Sequence, residues 1–177
     1  MWIVIDGYNL IRRSPRLSVL DRRDMEEGRD ALLASLAAYR RLKGHRITVV
    51  FDGWEGGGMR EQVTTIGGLQ VIFTRRGEQA DQAIVRFVGR APTGAVVVTS
   101  DRTLAEDAAR TGAVALSAEE FHERLDRALR EGDEGGFYKE EDDDESDSEY
   151  PGPRRGKGPT RRPSKQVKRR ITALKRL

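Results

Sequence analysis

Cysteine is absent from the 177 residues, which excludes disulfides, thiolate zinc sites and thiol nucleophiles together. Histidine is almost absent. The two present, His45 and His122, stand alone, one before a candidate strand and one on a candidate helix, so neither is assigned a catalytic role. Long apolar runs are missing too. No stretch approaches the roughly 20 residues a membrane-spanning helix needs, and the first apolar run is too short for a signal peptide. No internal repeat, P-loop or G-x-G-x-x-G fingerprint is visible. These absences give a soluble cytoplasmic protein without a membrane partner as the expectation, large enough for one domain with a real core. The oligomeric state is left open.

What is present is charge, unevenly placed. The formal net charge is only +3, yet residues 133–149 hold ten Asp/Glu against one Lys, and residues 150–177 hold eleven Lys/Arg and no acid. The expected organisation is therefore a nearly neutral domain over 1–132, an acidic disordered linker over 133–149 and a basic tail over 150–177. "EEDDDESDSE" has too little to bury for folding, and "YPGPRRGKGPTRRP" reads as basic coil. The last stretch, "KQVKRRITALKRL", spaces Val167, Ile171 and Leu174 at i, i+4, i+7, so a basic amphipathic helix over 165–177 is expected when a partner is met.

Within the first 132 residues, β-branched runs alternate with helical patterns, which predicts βα units and a parallel sheet. Strands are expected near 2–5, 46–51, 69–74, 95–99 and 113–116. One helix is expected over "RDMEEGRDALLASLAAYRRLKG", ended by Gly44, and a second over "EQADQAIVRFVGR". A third should follow Asp101. The fourth starts at an S-x-x-E capping box, Ser117 and Glu120, with Leu116 and Phe121 as a hydrophobic staple, and runs to about Arg130.

Function in open parallel sheets gathers at the carboxyl ends of the strands. Three of the expected strands reach an aspartate there: Asp6 in "VIDGYN", Asp52 in "VVFDG" and Asp101 in "VVTSD". A fourth, Asp81, opens the helix after the third expected strand. Each alone fits a helix cap or turn, Asp101 especially. Four together repel one another unless a positive group lies between them. Arg102 is the candidate base. Oxygen ligands beside an amide, Asn9, otherwise suit a hard cation, Mg²⁺ or Mn²⁺. Such a site fits phosphodiester cleavage by metal-activated water.

These motifs, in order "VIDGYNLI", "VVFDG", "EQADQAI" and "VVTSD", resemble the NYN domain family, in particular its YacP-like branch within the PIN-like nuclease superfamily, over roughly residues 1–130. The resemblance implies a PIN-like, Rossmann-like three-layer α/β sandwich with a mainly parallel five-stranded sheet in the order 3-2-1-4-5. It also implies metal-dependent RNA cleavage and, in the YacP-like branch, association with the ribosome during mRNA decay. Residue by residue, Asp6, Asp81 and Asp101 match the family's metal-binding acids, Asn9 the motif's amide and Asp52 the acid ending the second strand. Relatives often carry a further acid after the helix aspartate. Gln82 and Val85 occupy that region here, which weakens the case for a tightly held second metal.

Several basic and aromatic residues are candidates for RNA contact. Arg12, Arg13 and Arg16 follow the first motif, and Arg75 and Arg76 follow the third expected strand. The glycine-rich stretch 53–68 is read as a loop able to fold over RNA, with Trp54 stacking on a base and Arg60 meeting phosphate. Arg102 and the tail residues Arg161, Arg162, Lys168, Arg169 and Arg170 complete the set, the tail's contribution being strongly salt-dependent. Tyr8 and Tyr39 are read as packing residues. Three other classes compete. A haloacid dehalogenase-type phosphatase needs a second Asp where Tyr8 stands and a Lys partner that is missing. A non-catalytic RNA- or ribosome-binding protein would bind RNA without metal and leave it intact. A protein-interaction module would keep its partners after RNase treatment.

Overall fold

A computed structural model of the chain describes residues 1–53, 59–90, 94–134 and 165–177, with side chains at 133–134 and 165–168 outside the description. Ile3, Val4 and Ile5 alternate between opposite faces of strand β1 (Trp2–Asp6), and all three are wholly buried, so the sheet is covered on both sides. Short helices α1 (Gly7–Arg13) and α2 (Pro15–Arg23) follow, then the long α3 (Met25–Lys43), which Gly44 closes. Next come β2 (Arg46–Phe51), β3 (Gln62–Ile66), β4 (Leu69–Phe73) and α4 (Ala80–Gly89). The fold continues through β5 (Val96–Val98), α5 (Arg102–Arg110), β6 (Val114–Leu116), α6 (Ala118–Glu134) and α7 (Lys165–Arg176).

The sheet order is β3-β4-β2-β1-β5-β6. All pairs are parallel except β3 with β4. The five expected strands thus take the order 3-2-1-4-5, with a sixth added at one edge. Residues 62–66 read as loop in the sequence. They instead form an antiparallel hairpin with β4 through Gly67 and Gly68, whose φ angles of 58° and 80° suit a two-residue hairpin turn.

Side-chain alternation divides the core. Ile3, Ile5, Val49, Phe51 and Val98 pack with α1, α3 and α6, and Val4, Val50, Ile72 and Val97 pack with α4 and α5. Phe121 and Leu116 are buried as the staple requires, and Glu120 N donates to Ser117 Oγ at 3.1 Å. Burying a side chain such as Phe121 is worth about 1.5–3 kcal/mol. Gly7 is required by a close approach: a Cβ there would collide with the Phe51 ring.

The C-terminal segment is helical over the expected residues. Residues 165–176 form α7, which packs beside β6. Ala173 and the following Leu177 are buried and Leu174 of the expected stripe packs against the core, while Ile171 is exposed; the side chain of Val167 lies outside the description. Leu177 O accepts from Tyr39 Oη at 2.8 Å, and Arg170 pairs with Glu120 at 2.7 Å. A helix beside the edge strand β6 also limits pairing with another chain there. Most of the acidic linker and the first part of the basic tail, 135–164, lie outside the described residues. No helix among the described residues is long and apolar enough to cross a membrane.

Candidate active site

The carboxyl end of β1 is the switch point of the sheet, because its neighbours β2 and β5 are reached by crossovers in opposite directions. Asp6 ends β1 at that point, Asp52 follows β2, Asp101 follows β5, and Asp81 stands in the first turn of α4. All four line one cleft of about 520 Å³, together with Tyr8, Asn9 and Arg12.

Each strand-end aspartate is also a cap. Asp6 Oδ1 accepts from Asn9 N at 3.1 Å and Asp101 Oδ1 from Leu104 N at 2.9 Å. Asp52 Oδ1 reaches across to Ala80 N at 2.6 Å, holding the start of α4 and with it Asp81. Capping and ligand binding are compatible here: a carboxylate has two oxygens, and each cap engages one of them. The cap reading is therefore right, and it leaves three second oxygens and the whole of Asp81 beside the cleft.

The electrostatics record this. Asp6, only 8% exposed, has its pKa pushed up to about 6, first by burial and then by the charges of Asp81 and Asp52, against the Asn9 amide and Arg12, which lower it. Asp81 is also raised, by burial and by Asp101 and Asp52. Among the described residues none of these four aspartates has an ion-pair partner within 4 Å. The positive group in the cleft is Arg12, stacked over the Tyr8 ring at 5.8 Å; Arg102, the base expected from sequence, does not line it.

Asn9, expected to orient ligands or water, is also engaged within the chain. Its Oδ1 accepts from Ser100 N at 2.8 Å, so the amide oxygen ties α1 to the end of β5 and fixes Asp6 relative to Asp101. Sequence reasoning does not single out Glu78, although it lies in the quoted "EQADQAI" stretch: it lines the cleft, is nearly buried, and pairs with Arg86 at 2.9 Å and Arg75 at 3.3 Å. Its charge is engaged by arginines, unlike those of the four aspartates.

The donor set is all oxygen, as a hard cation requires. Among the described residues no three acid or histidine side chains are already placed to hold one ion. That fits Mg²⁺-like coordination, which relies on one or two carboxylates, retained waters and substrate phosphate oxygens rather than a closed protein cage.

The expected RNA contacts are scattered. Arg12 faces the cleft; Arg13 is drawn to Glu119 at 3.4 Å and Arg75 to Glu78. Arg16, Arg60, Arg76 and Arg102 are exposed. Arg169 and Arg170 are on α7, and Arg170 is paired. Trp54, Arg161 and Arg162 lie outside the described residues, as does the side chain of Lys168. Tyr39 is fully buried, as expected; Tyr8 is buried against Phe51 with its hydroxyl at 3.2 Å from Arg29. His122 contacts Ser14 at 3.2 Å and His45 the Arg176 carbonyl at 2.9 Å, both away from the cleft.

Residues 3–154 match the model of the YacP-like NYN domain. The uncharacterized protein YacP of Bacillus subtilis (strain 168) is 33% identical over 138 residues, which covers 72% of this chain and 81% of that protein. The crystal structure of Rae1 (YacP) from Bacillus subtilis is similar at a TM-score of 0.66 and 31% identity, covering 77% of this chain and 79% of that one. The crystal structure of a point mutant of Rae1 gives a TM-score of 0.63 at the same identity, over 76% of this chain and 79% of the other.

Proposed function

The chain belongs to the YacP-like NYN family, a nuclease-like family, and from that premise we propose that it is an endoribonuclease cutting RNA at the carboxylate cleft with Mg²⁺ or Mn²⁺. The observation that carries the reading is the convergence of Asp6, Asp52, Asp81 and Asp101 on one cleft in which, among the described residues, Arg12 is the nearby cation. Unpaired acids that raise one another's pKa are costly to keep for structure alone, and caps need only one oxygen each.

Asp6, Asp81 and Asp101 are the acids from which the one or two carboxylate ligands of the ion would come, waters and substrate phosphate oxygens supplying the rest. When bound, such a cation activates a water for attack on a phosphodiester and offsets charge on the leaving oxygen. The remaining work falls to the chain. Asp52 fixes the first turn of α4 and so the position of Asp81; Asn9 fixes α1 against β5. Arg12, held over Tyr8, offers a guanidinium to the phosphate oxygens of a strand entering the cleft. Ribosome association belongs to the same proposal, with the basic C-terminal residues as the recruiting surface.

The competing reading, a non-catalytic RNA binder, draws on the lack of a ready-made three-ligand cage among the described residues. Cleavage of a translated mRNA on ribosomes, and of the same RNA free, separates the two. Metal-dependent cuts that disappear with EDTA and in the Asp6→Asn/Asp81→Asn protein are expected. Intact RNA in every lane, with binding preserved, would establish the binder instead.

A further inference from the structure

Beside the carboxylate cleft, on the outer side of α4, lies a second groove of about 420 Å³. It is lined by Arg60, Arg75, Arg86 and Arg90, with Met59 and Phe87, and by the two acids Glu61 and Glu78. Four guanidiniums share two carboxylates. Arg86 is held at both ends, by Glu61 and by Glu78 at 2.9 Å, and Arg75 joins Glu78 at 3.3 Å. Among the described residues Arg60 and Arg90 have no carboxylate within 4 Å, and both are exposed.

Three observations give this groove a direction. It opens at the carboxyl end of β4, since Gln62 pairs with Phe73 and places Arg60 and Glu61 there, the same end as the aspartates. Glu78 lines both cavities and separates them. The charge changes sign across that one residue, from four aspartates to a surplus of arginine. A ligand that meets arginines on one side and a cation-seeking carboxylate cluster on the other must be anionic and repeat its charge along its length.

We propose that this arginine groove binds the phosphodiester backbone of single-stranded RNA adjacent to the position of cleavage, with Arg60 and Arg90 contacting phosphate and Glu78 holding Arg75 and Arg86 in place. Guanidinium forks suit phosphate oxygens, and a basic groove that tracks the backbone is a general device for unpaired strands. Arg86 and Arg90, which sequence reading does not single out, become part of the substrate path. The assignment rests on the RNA-cleaving reading for its ligand, but it concerns binding and is testable without cleavage.

The test is fluorescence anisotropy of a labelled oligouridylate, about 12 nucleotides long to span a single-strand site, with the full chain in EDTA across a salt series. Arg60→Gln/Arg90→Gln is compared with wild type and with Arg110→Gln, a distant exposed arginine paired with Asp107. Both altered groove positions are exposed, and unchanged melting temperature confirms that the fold is kept. The groove variant is expected to bind about tenfold more weakly, with the slope of log affinity against log salt reduced by about 1.4 for two lost phosphate contacts; Arg110→Gln keeps the wild-type slope. Equal slopes in all three proteins would overturn the proposal, as would absence of binding by wild type. Displacement by uridine monophosphate at the concentration effective for the oligomer, per phosphate, would make the groove a mononucleotide site and also overturn it. Competition by polyglutamate in place of RNA would assign it to an acidic protein. Failure of the nuclease reading has its own signature: Asp6→Asn/Asp81→Asn protein that cuts like wild type, whatever the groove variant does.

Discussion

In the amino-terminal half of the sheet, polar side chains find partners within the protein. Trp2 Nε1 donates to Thr48 Oγ1 at 2.9 Å, Thr48 passes a hydrogen bond to Gln70 Oε1 at 3.0 Å, and the Tyr39 hydroxyl meets the last carbonyl of the chain at 2.8 Å. At the carboxyl ends of the same strands, four aspartates crowd one cleft, each strand-end carboxylate engaged through one oxygen in a cap. These strand-start polar groups are satisfied, while away from the cleft Asp21 Oδ1 and His122 Nδ1 are buried without a hydrogen-bond partner among the described residues. The chain's crowded, unpaired acids gather at the end where a ligand can enter, which is the physical mark of a site.

That contrast can be broken most forcefully at Asp6 and Asp81. Replacing both by Asn should lower RNA cleavage at least about 100-fold, several kcal/mol of lost charge stabilisation, as read from initial rates. The other end answers through stability instead. A chain ending at residue 164 loses the burial of Ala173 and Leu177 and the Tyr39 hydrogen bond, so about 4 kcal/mol of stability should go, seen as a melting temperature lower by about 8–16 °C.

A third effect sharpens the difference through pH. Burial raises Asp6 from 3.8 to about 6, so between those values the folded chain keeps a proton that the unfolded chain has released. The stabilisation from neutral Asp6 is complete below about pH 3.8 and lost as pH rises through about 6. Urea denaturation in EDTA should therefore show about 3 kcal/mol of decline across that window, and Asp6→Asn, whose amide can still cap α1, should flatten it. The smallest effect is at Thr48→Val. Breaking the Trp2–Thr48–Gln70 chain should cost about 1 kcal/mol in denaturation and leave cleavage unchanged.

Much of this is legible in the sequence because the informative residues are consecutive. Ile-Val-Ile before Asp-Gly, and Val-Val-Phe before Asp-Gly, read as buried strands ending in acids whatever the rest of the chain does. Strand β3 is not legible: all five of its residues are exposed, so Gln62–Ile66 carries no burial pattern, and only its pairing with β4 makes it a strand. Helix α2 is hidden for a similar reason, with Leu17 its one buried residue. On α7, Leu174 of the expected stripe packs against the core beside the buried Ala173 and Leu177, while Ile171 is exposed.

At the site, the sequence shows which residues are acidic but not which oxygens are free. Asn9 Oδ1 accepts from Ser100 N, and Glu78, which the sequence reading does not single out, is held by Arg75 three residues before it and by Arg86 on α4. Arg12, rather than Arg102, faces the acids because α1 turns directly over the end of β1. The Asn9–Ser100 bond and the placing of Arg12 depend on where chain segments meet, whereas Arg75 and Glu78 are an i,i+3 pair.

The most direct test of the central claim, that the four-aspartate cleft is balanced by a divalent cation, is a Mn²⁺ titration followed by electron paramagnetic resonance. Full-length wild-type and Asp6→Asn/Asp81→Asn chains are compared about one pH unit or more on either side of the Asp6 pKa of about 6. Both carry the same acidic linker, so nonspecific binding there is common to them. The account predicts a saturable Mn²⁺ class in wild type that weakens at the lower pH, where Asp6 takes up its proton, and that is missing from the variant. Identical Mn²⁺ isotherms for the two proteins would contradict it.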